Sequence, residues 1–114
     1  MTKHVYYINK LGKNLFLFWS YNRFKDEKVG VPAELKSSYT KMPVNYEQSD
    51  NEQIYADLNN DSNPLSYAKY QEWIRENKVG HTSMTVGDMI HEDKENKWYV
   101  TSGVGFKEIY WIDR

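Results

Sequence analysis

Apolar positions alternate or cluster near both ends of the chain, and the middle carries helical signals. Residues 4–9 (HVYYIN) and 14–21 (NLFLFWSY) read as two strands joined around Leu11-Gly12-Lys13, where the glycine suits a tight hairpin. In the second strand Leu15, Leu17, Trp19 and Tyr21 share one face, and Phe16 and Phe18 share the other. With both faces apolar, this stretch predicts a central strand whose Phe16, Leu17, Phe18 and Trp19 are all core. From 22 to 45 the pattern dissolves into charged, proline-containing sequence, with at most a turn of helix or a short strand near 33–39. That predicts a long excursion, mobile or in contact with a partner.

Ser49-Asp50-Asn51-Glu52 spells a capping box, and Ile54 and Leu58 follow one turn apart, which predicts a short helix ending at Asn59-Asn60. A longer helix follows, with Asn63 as N-cap, Pro64 at its first position, the run LSYAKYQEWIRENK, and Gly80 shortly past its end. Its Tyr67, Tyr70 and Ile74 form a stripe at helical spacing, with Trp73 beside it. Residues 89–92 and 97–101 flank Asp93-Lys94-Glu95-Asn96 as a hairpin, Ser102-Gly103-Val104-Gly105 interrupts, and FKEIYWI forms a last strand. These elements predict an α+β fold: a mainly antiparallel sheet of four to five strands with two helices packed on one face. The length of 114 residues fits a single domain over 1–114.

Cysteine is absent, which removes disulfides, thiolate metal sites and a cysteine nucleophile. The longest apolar run near the N-terminus, Leu15 to Trp19, falls far short of a secretory segment or a span of about 20 residues. The expectation is a soluble cytoplasmic protein with no membrane role. Aromatics make up 16% of the chain, ten of them Tyr, more hydroxyl-tipped surface than a core needs and a composition common at protein interfaces. The net charge of −1 conceals a partition. Residues 1–41 carry eight Lys/Arg against three acids, residues 42–68 carry five acids and no Lys or Arg, and residues 69–114 carry seven bases against eight acids.

Four further stretches carry a resemblance. They are Ile54-Tyr55 with Leu58-Asn59 and Pro64; the block Gly80-His81-Thr82-Ser83-Met84-Thr85-Val86-Gly87-Asp88-Met89-Ile90; Trp98-Tyr99-Val100; and Gly105-Phe106-Lys107-Glu108-Ile109. Together they make residues 51–111 similar to the YodL-like domain, a small module of phage, plasmid and conjugative-element proteins. A full helix between Pro64 and Gly80 departs from that family's shorter spacing, and the first 50 residues match only in being strand-like. The resemblance implies no catalytic residue. It implies a setting, that of a mobile-element accessory protein which modulates the machinery or defences of a bacterial host.

Within the central block, Gly87 is expected at positive φ, with Thr85 and Asp88 satisfying backbone N–H groups of the turn. The same residues offer a polar site of His81, Ser83 and Asp88. A triad needs a base in contact with its nucleophile and oriented by a third group, but no nucleophile-elbow spelling surrounds Ser83. His81, Asp88 and His91 have no metal-site spacing. The expectation is therefore no enzyme, metal or cofactor.

Two surfaces are candidates for binding. The acidic stretch Glu47, Asp50, Glu52, Asp57 and Asp61, with Tyr55, suits a host protein bearing a basic groove. The alternative is a nucleic-acid regulator in which aromatics of the N-terminal half stack on bases beside Arg23, Lys25 and Lys28. The protein-binding reading leads, with inhibition of a host defence as its most specific form.

Overall fold

The computed structural model describes residues 2–21, 28–103 and 105–113. It is an α+β fold built on one six-stranded, mainly antiparallel sheet. The strands are β1 (Thr2–Ile8), β2 (Lys28–Pro32), β3 (Tyr39–Glu47), β4 (Met89–Glu92), β5 (Lys97–Ser102) and β6 (Gly105–Ile112), in the spatial order β2-β6-β5-β4-β1-β3. Every neighbouring pair is antiparallel except β2 with β6, where Val29 lies opposite Ile109 in parallel.

Helices pack on both faces of this sheet. On one face Val5, Tyr7 and Ile90 meet Ile54 and Leu58 of α2 (Asn51–Asp57) and its end, Ile74 of α3 (Ala68–Glu76), and Leu65 and Met84 between elements. Strand alternation sends Ile8, Met89, Val100 and Ile109 to the opposite face, where Trp19 of α1 (Leu15–Tyr21) covers them together with Val31 and Tyr39. The two expected helices do share one face, and a third occupies the other.

That third helix corrects the reading of 14–21 as a central strand. An unbroken apolar run carries no period that separates strand from helix. As a helix it turns Leu15 and Trp19, four residues apart, toward the sheet, and Trp19 is 1% exposed. The same turn sends Phe16 and Phe18 outward at 43% and 45% exposure, so the expectation that all of this run is core fails for them. The Trp19 indole N–H donates to the Tyr39 hydroxyl at 3.2 Å, and that hydroxyl donates to the Gly87 carbonyl at 2.8 Å. α1, β3 and the turn before β4 are thereby tied together, and burial pushes the Tyr39 phenol well above its ordinary range.

The expected excursion over 22–45 is largely ordered. β2, a 3-10 turn at Ala33–Ser38 and β3 occupy its described part, and both strands lie at sheet edges. Pro32 and Pro43 are tolerated there because an edge strand has backbone positions that need no ladder partner. These two strands also raise the sheet beyond the expected four or five.

The capping box of α2 is shifted by one residue. The Asp50 carboxylate accepts from the Gln53 N–H at 2.8 Å, and the Gln53 side chain accepts from the Asp50 N–H at 3.0 Å. The helix expected from Pro64 is divided. Asn63 caps a single 3-10 turn (Pro64–Ser66), Tyr67 is extended at ψ 145, and α3 begins at Ala68. Past α3 the left-handed position falls on Lys78 (φ 58) and not on Gly80. The Val79 N–H reaches the Ile74 carbonyl and the Lys78 N–H that of Arg75, a Schellman closure in which Val79 and Ile74 both enter the core. No helix among the described residues is long and apolar enough to cross a membrane.

Candidate functional site

Residues 80–88 connect α3 to β4 without regular structure, yet four side chains from elsewhere in the chain hold them. Asn59 donates to the Met84 carbonyl at 3.1 Å, Asn63 to the Thr82 carbonyl at 3.2 Å, and Gln71 to the Thr82 hydroxyl at 2.9 Å. The Tyr7 hydroxyl donates to the Thr82 carbonyl at 2.9 Å. The turn that follows is fixed by Gly87 at φ +96, whose N–H donates to the Thr101 carbonyl, and by Asp88, whose carbonyl accepts the Thr101 N–H and hydroxyl. The expected positive φ at Gly87 is present, in the region closed to most side chains.

Asp88 is the centre of this site. It is fully buried, and its carboxylate accepts the Ile8 N–H at 2.8 Å, the Thr85 N–H at 2.9 Å and His81 Nε2 at 2.8 Å. Burial pushes its carboxyl above the ordinary range, against the His81 imidazole and the two backbone N–H groups, which pull it down. A carboxylate offers only acceptors, so the His81 ring carries a proton on Nε2. Its Nδ1 makes no hydrogen bond among the described residues. The ring is further clamped by stacking on Tyr7, with centroids 4.7 Å apart and planes 15° apart. The imidazole is therefore fixed in position and tautomer, with its side chain 27% exposed.

The exposed part of His81 lines a cavity of about 690 Å³. Ile8, Phe16, Tyr55 and Met84 supply its apolar wall, Thr82, Ser83 and Thr85 its hydroxyls, and Lys10 and Lys13 its charge. No Asp or Glu among the described residues lines it. Lys10 and Lys13 flank a 3-10 turn (Lys10–Gly12) capped by Asn9, whose side chain accepts the Leu11 N–H at 2.9 Å. Gly12 sits so close to Ser38 that an added Cβ would approach the Ser38 Cβ to 2.6 Å, which lets this turn pack against the 3-10 turn at Ala33–Ser38. Leu11, at the tip, is 79% exposed. The turn and α1 thus expose Leu11, Phe16 and Phe18, of which Phe16 lines the cavity together with Lys10 and Lys13.

The residues expected at a site are distributed as follows. His81, Thr85 and Asp88 are joined directly, with Gly87 shaping the turn. Ser83 shares the cavity wall with His81 without a hydrogen bond between them. His91 stacks on Trp98 at 4.3 Å and bonds Asn96 at 2.7 Å, away from the pair, and no group of three His, Asp or Glu able to hold a metal occurs among the described residues. In the acidic stretch, Glu47 accepts the Thr2 hydroxyl, Asp50 caps α2, and Asp57 accepts the Tyr46 hydroxyl. Glu52 and Asp61 are exposed, and Tyr55 is half-buried between the cavity and an edge-on contact with Phe106. Lys28 pairs with Glu108 at 2.7 Å, whereas Arg23 and Lys25 lie outside the described residues. Sequence reasoning missed Lys10, Lys13 and Leu11, because a 3-10 turn entering a helix resembles a hairpin loop when the following run is taken for a strand.

No family model matches the chain, and no solved structure matches it. The chain is 40% identical over 81 residues to "Uncharacterized protein R785" of Acanthamoeba polyphaga mimivirus, a match covering 63% of this chain and 69% of the viral one.

Proposed function

We propose, from the premise that this chain belongs to one family with that mimivirus protein, that it is an accessory protein of a mobile genetic element. It acts in the host cytoplasm by binding a host protein and not by catalysis. A viral family member and the resemblance of residues 51–111 to the YodL-like domain both support that setting. The observation that carries the binding reading is the exposure of three large apolar side chains, Leu11 at 79%, Phe16 at 43% and Phe18 at 45%, on two consecutive short elements. Isolated exposed apolar residues are ordinary, but three within eight residues of chain, one of them on a cavity wall, favour an interaction surface. Lys10 and Lys13 give that face a positive character, which suits a partner of acidic surface. The acidic stretch is the weaker candidate, since Glu47, Asp50 and Asp57 each already accept a hydrogen bond from within the chain.

Capture from host lysate, with and without nuclease, tests this with three immobilised proteins: wild type, Leu11→Asp/Phe16→Asp, and Glu52→Lys/Asp61→Lys. Burying each apolar side chain contributes about 1.5–3 kcal/mol, so losing two weakens binding roughly a hundredfold or more. The expected result is one protein held by wild type and by the lysine variant, resistant to nuclease, and lost from the aspartate variant with its circular dichroism unchanged. Equal capture by wild type and a folded aspartate variant removes this face from the mechanism. Capture abolished by nuclease replaces the protein partner with nucleic acid.

A further inference from the structure

We propose that the cavity beside His81 is a binding site for a small phosphomonoester carrying a planar ring, of mononucleotide size. This goes beyond the protein-binding reading and does not depend on it. Three features of the cavity converge on this class. Its volume of about 690 Å³ falls in the range that encloses small ligands, roughly 300–1,000 Å³. Among the described residues its charged lining is all of one sign, Lys10 and Lys13, and two ammonium groups match a dianionic phosphomonoester better than a single carboxylate. The Asp88 charge lies behind the imidazole, fully buried and spent on three donors, so it does not repel an anion at the mouth.

The remaining wall sets the shape of the ligand. Phe16 and Tyr55 border the cavity as aromatic rings, and a base or similar ring gains from stacking on such faces. Thr82, Ser83 and Thr85 place hydroxyls on the same loop as His81. Because Asp88 and Tyr7 immobilise His81 before any ligand arrives, its Nδ1 is a ready acceptor for an O–H or N–H of the ligand's ring portion, with little left to order on binding, and the phosphate is left to Lys10 and Lys13. Asn59, Asn63 and Gln71 hold the rest of the loop in the same way.

Titration of the purified protein at pH 7.5 and low salt with AMP, adenosine, inorganic phosphate and acetate, followed by amide chemical shifts, tests the assignment. The expected result is saturable AMP binding with shifts concentrated in residues 9–16 and 80–85. Adenosine and phosphate should each bind at least tenfold more weakly, and acetate should not bind. Lys10→Ala/Lys13→Ala and His81→Gln should each weaken AMP by about tenfold while spectral dispersion is retained, and salt should weaken it further. Absence of saturable AMP binding at 10 mM, on the order of the weakest affinities that matter, overturns the proposal. So does AMP binding that both variants leave unchanged. Adenosine binding as tightly as AMP overturns the phosphate assignment, and phosphate binding as tightly as AMP overturns the ring. Capture of a host protein is distinguished from these outcomes by Leu11→Asp alone, because Leu11 does not line the cavity: it should weaken capture and leave AMP binding unchanged.

Discussion

Replacing Asp88 by Asn keeps the shape of a fully buried side chain and removes one acceptor, so its effect is calculable from the three donors that converge there. The amide oxygen can keep the Ile8 N–H. The amide nitrogen then faces two donors, the Thr85 N–H and His81 Nε2. His81 can answer by moving its proton to Nδ1 and accepting, but a backbone N–H has no such freedom. One donor is left unpaired, which costs about 1–3 kcal/mol, and the two surviving bonds fall from charge-assisted to neutral at about 1 kcal/mol each. Relief of burying a carboxylate opposes this, as the raised carboxyl pKa attests. The net expectation is a loss of about 2–4 kcal/mol, a large share of the 5–15 kcal/mol typical of a domain.

Urea denaturation followed by tryptophan fluorescence measures the loss as a lower midpoint at unchanged slope, and imidazole nitrogen shifts report the tautomer change. The pH dependence has a definite sign. A carboxyl whose folded pKa lies above its unfolded value binds more protons when folded, so its contribution is fully present below the unfolded pKa and is lost as pH rises through the folded one. The margin of wild type over Asp88→Asn should therefore widen as pH falls from neutral toward the ordinary carboxylate range. A variant as stable as wild type at pH 7 would refute the three-donor hub at this position, and a margin that narrows on acidification would refute the upward displacement of the Asp88 carboxyl.

Gly87→Ala should cost about 2–3 kcal/mol in thermal or chemical denaturation: roughly 1 kcal/mol from φ +96, and the rest from a Cβ placed 2.6 Å from Ile8 Cδ1 and 3.1 Å from Trp19 Cδ1. A loss under about 0.5 kcal/mol would contradict that geometry. Asp50→Ala should cost about 1 kcal/mol through the α2 cap, whereas the neighbouring Glu52→Ala should stay within about 0.5 kcal/mol. Equal effects at the two positions in parallel urea titrations would show that the cap does not hold.

What the sequence made legible followed local chemistry. The hairpin over 89–102 was readable from its turn residues, and Gly87 from the polar turn around it, because backbone geometry there is dictated by adjacent positions. α2 was readable from its cap signal and from Ile54 and Leu58. The apolar run from Leu15 to Trp19 was not, since uninterrupted hydrophobicity suits a buried strand and a short helix alike, and only the sheet that Trp19 covers decides between them. β2 and β3 were hidden because edge strands are short, polar on one side and tolerant of proline. At the site, His81, Thr85 and Asp88 lie close in sequence and their association was foreseeable. Lys10, Lys13 and Phe16 join them only through the pairing of β1 with β4, a long-range contact that no local pattern announces.

The single parallel pairing has a kinetic consequence. Among the described residues β2 hydrogen-bonds only to β6, so Val29 must wait for Ile109 before its ladder can form, and the second edge of β1 must likewise wait for β4. During synthesis the first 47 residues can make α1 and the β1–β3 pair, but the sheet cannot close until β6 has emerged. Contacts of such separation slow folding, because the intervening chain must be ordered before they can reward it. For that interval the hydrogen-bonding edges of β1 and β2 are open to other strands, and aggregation is most to be expected from nascent or truncated chains that lack β6.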